Sequence, residues 1–139
     1  MATIYLAGPI QQDDADPYAW HNAIQDHSPE IDWINPFELH TYNEDEVWDH
    51  IDEIIEQDLE EVGNADAVLL RRIDEYNLSG ASIEAREAYT KGIPVIVWND
   101  AETELPLFLR GHVDEVYESM EEAVEAVKAA VIEPKTTDC

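Results

Sequence analysis

Short apolar runs alternate along this chain with segments whose apolar residues recur every three or four positions. Ile4-Tyr5-Leu6-Ala7, Ala67-Val68-Leu69-Leu70 and Ile93–Trp98 are almost continuously apolar, as strands covered on both faces of a parallel sheet are. With two shorter runs they predict strands at Thr3–Ala7, Ile31–Ile34, Ala67–Leu70, Ile93–Trp98 and Val113–Tyr117. The i, i+3, i+4 spacing predicts helices over Pro17–Asp26, Asp45–Val62, Ala81–Lys91 and Ser119–Ile132, with a helical turn around Leu105–Arg110. Strands and helices that alternate in this way give a doubly wound α/β/α sandwich, flavodoxin-like or Rossmann-like, with five parallel strands in the order 2-1-3-4-5. One domain over residues 1–132 is expected, with a frayed tail over 133–139.

One position breaks the pattern. In Glu46–Gly63 the residues Val47, Ile51, Ile54, Ile55, Leu59 and Val62 form an apolar stripe, and Asp58 falls inside it. A carboxylate facing a core is costly unless it has a partner or a task. The alternative is an acid at the stripe's edge that reaches water or a backbone N–H. In a sheet of this kind ligands bind beyond the carboxyl ends of the strands. The turn Gly8-Pro9-Ile10, the loop Arg71–Gly80 and the helix start Ala81–Glu84 should meet there, with Asp58 directed toward the same edge. The entry Asn77-Leu78-Ser79-Gly80-Ala81 is made of small and polar residues. Gly80 would permit a tight turn, and free N–H groups at the helix start favour an anion. Glu84, read as a first-turn residue, would be kept ionised by the helix dipole, as a nucleophile requires. A first-turn glutamate also serves helix stability alone.

Composition changes the picture of the surface. The chain has 139 residues with 33 acids against 7 Lys+Arg, a formal charge of −26, and 45% hydrophobic residues. Acid spread over every segment, with only three lysines, suggests a surface that stays hydrated in molar salt, as in a halophile's cytosol. A basic footprint for nucleic acid is absent, so nucleic acid is not an expected partner. The single cysteine, Cys139, allows neither an internal disulfide nor a cysteine metal site. The start MATIYLAGP reads as a strand rather than a signal peptide, and no apolar run approaches 18 residues. A cytoplasmic protein without membrane contact is expected. His21, His27, His40, His50 and His112 show no ligand spacing, so no metal and no cofactor are expected. No GxGxxG or GxxxxGK[ST] occurs, and Ser79 and Ser82 have no histidine nearby in sequence to activate them.

Three blocks carry a family resemblance. Ile4-Tyr5-Leu6-Ala7-Gly8-Pro9, then Glu56-Gln57-Asp58-Leu59-Glu60 with Ala65-Asp66-Ala67-Val68, then Gly80-x-x-x-Glu84 with Gly92-x-Pro94-Val95 together resemble the nucleoside 2-deoxyribosyltransferase family. That family includes the 2'-deoxynucleoside 5'-phosphate N-hydrolases. The resemblance runs from Thr3 to about Tyr117. It implies that Glu84 is the nucleophile attacking the anomeric C1' and that Asp58 contacts the sugar and assists proton transfer at the base. Tyr5 would orient the nucleophile, and Gly8 and Gly80 would let backbone approach the ligand. A displacement in two steps at one carbon follows the logic of a retaining glycosidase.

The chain departs from the family at the sugar's 5' end. A serine and an arginine that follow the first strand in the phosphate-preferring hydrolases correspond to Pro9 and Gln11. A Ser or Asp six residues before the nucleophile corresponds to Leu78, and a neighbouring subunit's polar residue to Pro106. Asn77, Ser79, Arg71 or Arg72 could take over that contact; Arg71 and Arg72 could equally be surface ion-pair partners. Leu105-Pro106-Leu107-Phe108-Leu109 is the most apolar loop of an acidic chain. It predicts a homodimer or larger homo-oligomer with Phe108 near a neighbour's site. Transfer of a deoxyribosyl group between nucleobases, with Gly8, Pro9, Ile10, Asn77, Ser79, Gly80 and Phe108 lining the substrate, is the first reading. Hydrolysis of a nucleoside 5'-monophosphate and a non-catalytic nucleotide-binding module are the alternatives.

Overall fold

A computed structural model describes residues 2–9, 19–38, 43–73 and 78–132. Five parallel strands, β1 (Thr3–Ala7), β2 (Asp32–Ile34), β3 (Ala67–Ile73), β4 (Val95–Asp100) and β5 (Glu115–Tyr117), form one sheet in the order β2-β1-β3-β4-β5. In register, Tyr5 pairs with Val68 and Leu70 with Val97. The crossover from β1 through β2 and back to β3 is what reverses the strand order, and it opens the carboxyl edge at β1 and β3.

Alternation along each strand sorts two cores. Ile4, Leu6, Ala67, Leu69 and Ile96 face α1 (Ala19–His27) and α6 (Met120–Ile132). Tyr5, Ala7, Val68, Leu70, Val95 and Val97 face the other layer. That layer contains α3 (Ile51–Asn64), α4 (Ser79–Thr90) and α5 (Leu107–Arg110). Helix α4 meets the sheet through Ala81, Ala85 and Ala88, whose small side chains bring its axis close to the strands. It stops at Thr90, two residues before Gly92, where φ is +71°; the N–H groups of Gly92 and Ile93 return to the carbonyls of Tyr89 and Ala88 at 3.2 and 2.9 Å. This wrap-back, with glycine in the left-handed region, is how many helices stop.

Element bounds differ from the sequence reading in informative places. The helix expected over Asp45–Val62 is three pieces: α2 (Glu44–Val47), a 3-10 turn at Trp48–His50, and α3. No Gly or Pro marks the break; His50 carries it with φ −119° and ψ 19°. An unexpected 3-10 turn occupies Pro36–Glu38. Strand β3 runs on through Arg71, Arg72 and Ile73, and β4 through Asn99 and Asp100. Arg71 and Arg72 are therefore strand residues paired with Trp98 and Asn99, not part of a loop. The expected tail over 133–139 lies outside the described residues.

Candidate active site

Tyr5 and Glu84 come from β1 and α4, far apart in sequence, and meet on the sheet face that α3 and α4 cover. The Tyr5 hydroxyl donates a short hydrogen bond to Glu84 Oε2. Tyr5 is fully buried and Glu84 partly so. Burial, and after it the Glu84 charge, pushes the tyrosine well above its ordinary range, so it remains a donor at any working pH. Asp58 is half-buried on α3, and its charge raises both Tyr5 and Glu84. The acid in the apolar stripe thus reaches the same site.

Glu84 corrects the sequence reading in two ways. Helix α4 starts at Ser79, two residues earlier than expected, and holds no acid in its first turn. Glu84 lies in the second turn, where the dipole's influence has largely faded. Its carboxyl is pushed up to about 8, by burial first, with Tyr5's hydrogen bond pulling down and Asp58 pushing up. Desolvation dominates because α4 sits so close to the sheet that little water reaches this carboxylate. The expectation of a dipole-stabilised, fully ionised Glu84 does not hold in the free protein.

The two glycines separate. Gly8 has φ +139°, and a Cβ there would stand 2.7 Å from the Arg71 carbonyl oxygen and 3.2 Å from Trp20 Cζ2. Only glycine fits. Gly80 lies inside the first turn of α4 and a Cβ there would meet nothing within 4 Å, so the tight turn expected of it does not exist. Pro9 accepts a hydrogen bond from Trp20 Nε1 at 2.9 Å. Ser79 is exposed at the first position of α4. Phe108, with Leu107, is 82% exposed on α5. Ile10 and Asn77 lie outside the described residues.

The arginines are engaged elsewhere. The Arg71 guanidinium sits on the opposite face of the sheet, paired with Asp100 at 2.5 Å. Its central carbon is 4.2 Å from the Trp98 ring centroid and 5.6 Å from that of Trp20. Arg72 donates to the carbonyl oxygens of Thr103 and Glu104 at 2.6 and 3.0 Å and to Thr103 Oγ1 at 2.9 Å. It ties β3 to the segment that leads into α5. Neither is a surface ion pair of the usual sort, and neither stands ready for a sugar 5' group. Trp20, Trp98 and Asp100 were missed by the sequence reading. The signal was there only as two tryptophans and an acid near the ends of elements, with nothing to pair them. His21, fully buried beside Trp20, is pushed down to about 4 by burial and then by Arg71's charge, and stays neutral as a packing residue.

Among the described residues no group of three or more His, Cys, Asp or Glu side chains is arranged to hold a metal, and no helix is long and apolar enough to cross a membrane. A groove of about 730 Å³ lies at the amino-terminal edge of the sheet, lined by Asp66, Pro94, Asp114, Tyr117 and Ala126 among others. It shares no residue with the Tyr5–Glu84 pair. Asp66 and Asp114 there accept hydrogen bonds from the Thr3 and Val95 N–H groups at 2.9 and 2.7 Å, which is a structural use.

No protein-family model and no curated protein matches this sequence. Solved structures do match. A 2-deoxyribosyltransferase from Bacillus psychrosaccharolyticus is 20% identical with a TM-score of 0.73, covering 87% of this chain and 89% of its own. A 2-desoxiribosyltransferase from Leishmania mexicana is 16% identical with a TM-score of 0.69, covering 96% and 99%. The chain has the 2-deoxyribosyltransferase fold. A conserved protein from Enterococcus faecalis V583 shares it, at 24% identity and a TM-score of 0.75 over 92% and 98%. The flavoenzyme FerB, an NAD(P)H:acceptor oxidoreductase from Paracoccus denitrificans, matches less well, with a TM-score of 0.52 at 21% identity over 89% and 79%. Identities this low carry the architecture; the activity has to be argued from the site.

Proposed function

We propose that the chain is a nucleoside 2-deoxyribosyltransferase, cleaving the N-glycosidic bond of a 2'-deoxynucleoside through a covalent ester on Glu84. The observation that carries the reading is the buried Tyr5–Glu84 hydrogen bond with Asp58's charge beside it, on a fold shared with solved 2-deoxyribosyltransferases. Tyr5 donates to one carboxylate oxygen, which holds the group still and leaves the other oxygen to attack C1'. In the first step the Glu84–C1' bond forms and the C1'–N bond breaks, and the leaving base takes up a proton that Asp58 helps deliver. In the second step a nitrogen of the incoming base attacks C1', the Glu84–C1' bond breaks to release Glu84, and the proton lost from that nitrogen returns by way of Asp58. Retention at the anomeric carbon follows. Because burial pushes the carboxyl up to about 8, Glu84 is mostly protonated at pH 7 before substrate binds, and it is the ionised form that attacks.

A neutral nucleoside fits better than a 5'-monophosphate. The segments after the strands (residues 8–18, 35–43, 74–78 and 101–106) contain no Lys or Arg, and Arg71 and Arg72 are engaged as described.

The same face supports a homo-oligomer. Ile55, Ile83, Tyr89, Leu107 and Phe108 are exposed on α3, α4 and α5, and Trp48 on the 3-10 turn before α3, apolar surface of the kind interfaces cover. Phe108 would then stand near a neighbour's Glu84 site. The test of function is product analysis in molar KCl, with a 2'-deoxynucleoside alone and with a second nucleobase. Base exchange is expected; water-only cleavage of a monophosphate, or binding without turnover, would replace this reading.

A further inference from the structure

The sheet face away from Glu84 carries a cluster that the reaction as written does not use. Trp20 is 3% exposed and meets Trp98 edge to face, with ring centroids 6.4 Å apart. The Arg71 guanidinium lies over both rings, closer to Trp98, and is fixed in direction by its ion pair to Asp100. A planar cation held by a carboxylate and two indole faces leaves the indoles little freedom. From this anchored position Trp20 reaches the end of β1: its Nε1–H donates to the Pro9 carbonyl at 2.9 Å. Its ring edge stands close against Gly8, whose other neighbour is the Arg71 backbone. The Gly8–Pro9 turn is thus set from behind, by residues of α1, β3 and β4 on the opposite side of the sheet.

We infer that Trp20 is a positioning residue: held beneath the Arg71 guanidinium, which the ion pair to Asp100 fixes, it orders the Gly8–Pro9 backbone against which the substrate lies, and so sets substrate affinity without touching the substrate. The inference rests on the nucleoside reading and extends it to the sheet's other face. Tyr5 is three residues before Gly8 and is locked in the strand pairing of β1 with β3. Loosening the turn therefore changes how substrate seats, and spares the Tyr5–Glu84 hydrogen bond.

Trp20→Phe removes the N–H and keeps a buried aromatic ring. Steady-state kinetics with a 2'-deoxynucleoside and an acceptor base, nucleoside Kd by calorimetry, and a melting curve are compared with wild type. Loss of one buried hydrogen bond predicts KM and Kd raised about fivefold to tenfold, kcat within about twofold, and an unchanged pH profile. Trp98→Phe keeps an aromatic face beneath Arg71 and leaves the Trp20–Pro9 bond in place, so its KM should match wild type. Unchanged KM and Kd in folded Trp20→Phe, a loss confined to kcat, or the same rise in Trp98→Phe overturns the inference. If Trp20→Phe does not fold, Asp100→Asn decides, since it weakens the anchor of Arg71: KM raised about twofold or threefold supports the role, and no change refutes it. A wild-type protein that binds nucleoside without turning it over defeats the transfer reading, and the Kd comparison still decides Trp20. A wild-type protein that binds no nucleoside defeats both.

Discussion

The two faces of the sheet are built from the same alternating strands and are treated in opposite ways. Toward α1 and α6 the core is closed: Ile4, Leu6, Ile24 and Leu69 are fully buried, and the cation admitted there, Arg71, has a carboxylate and two indoles around it. On the other face α4 makes its contact through alanines, a hydroxyl is hydrogen-bonded to a carboxyl near the sheet, and several large apolar side chains remain exposed. Of the stripe on α3 only Val62 is fully buried, and Ile55 is 48% exposed. One face is arranged for stability. The other tolerates a poorly solvated carboxyl, Glu84, and an uncovered apolar surface, both costs to stability that the proposed function would put to use.

The largest contrast should come from deleting one residue on each face. Glu84→Gln should lower transfer by at least about a thousandfold, and it should not unfold the protein. Its effect on stability has a sign that follows from linkage. The folded protein holds a proton on Glu84 up to about pH 8, whereas the unfolded chain releases it near the ordinary glutamate value of 4.5. Wild-type stability therefore falls as pH rises between those values, and the deficit is complete above 8. Glu84→Gln has no such deficit and should be more stable than wild type at pH 8 to 9, by up to about 5 kcal/mol, while the two converge near pH 4. On the closed face the outcome should invert. Ile24→Ala should cost about 2 to 4 kcal/mol by cavity formation and leave the turnover of folded molecules unchanged; denaturant melts paired with kinetics check both.

Finer changes test the open face's electrostatics. Asp58→Asn removes the charge that pushes Glu84 up, so the rising limb of kcat/KM against pH should move to lower pH even as kcat falls. Tyr5→Phe removes the bond that pulls Glu84 down, so its limb should move to higher pH. Shifts in the same direction would break the assignment. Phe108→Asp should lower the oligomer's mass in light scattering at high salt if this face is the interface. Smallest per residue and spread over the whole surface is the effect of salt. Repulsion among 26 net negative charges should be screened at a Debye length of about 3 Å in 1 M KCl. Melting temperature should accordingly climb with KCl into the molar range, and a flat response would count against the high-salt reading.

Much of the architecture was legible because burial imposes periodicity. Continuous apolar strands and an alanine face on α4 are visible as letters, and they led to the strand order that the structure has. Asp58 was legible for the same reason, as an exception to a stripe. Glu84's ionisation was not, because it depends on how closely α4 approaches the sheet, and on a helix start at Ser79 rather than Ala81. The break at Trp48–His50 carries no glycine or proline to announce it. Arg71 was placed in a loop because strand β3 continues through two charged residues, and a charged pair ordinarily reads as a strand's end. Its partners Trp20 and Asp100 come from α1 and β4. No local pattern joins elements that only the sheet order makes neighbours.

The central claim is that Glu84 carries the sugar. Rapid acid quenching of the protein during turnover of a 2'-deoxynucleoside without acceptor base, followed by intact-mass and peptide mass measurement, tests it most directly. The account predicts one added deoxyribosyl group per chain, located on Glu84, lost on adding a nucleobase and absent in Glu84→Gln. Steady turnover with no adduct, or an adduct on another residue, would contradict it.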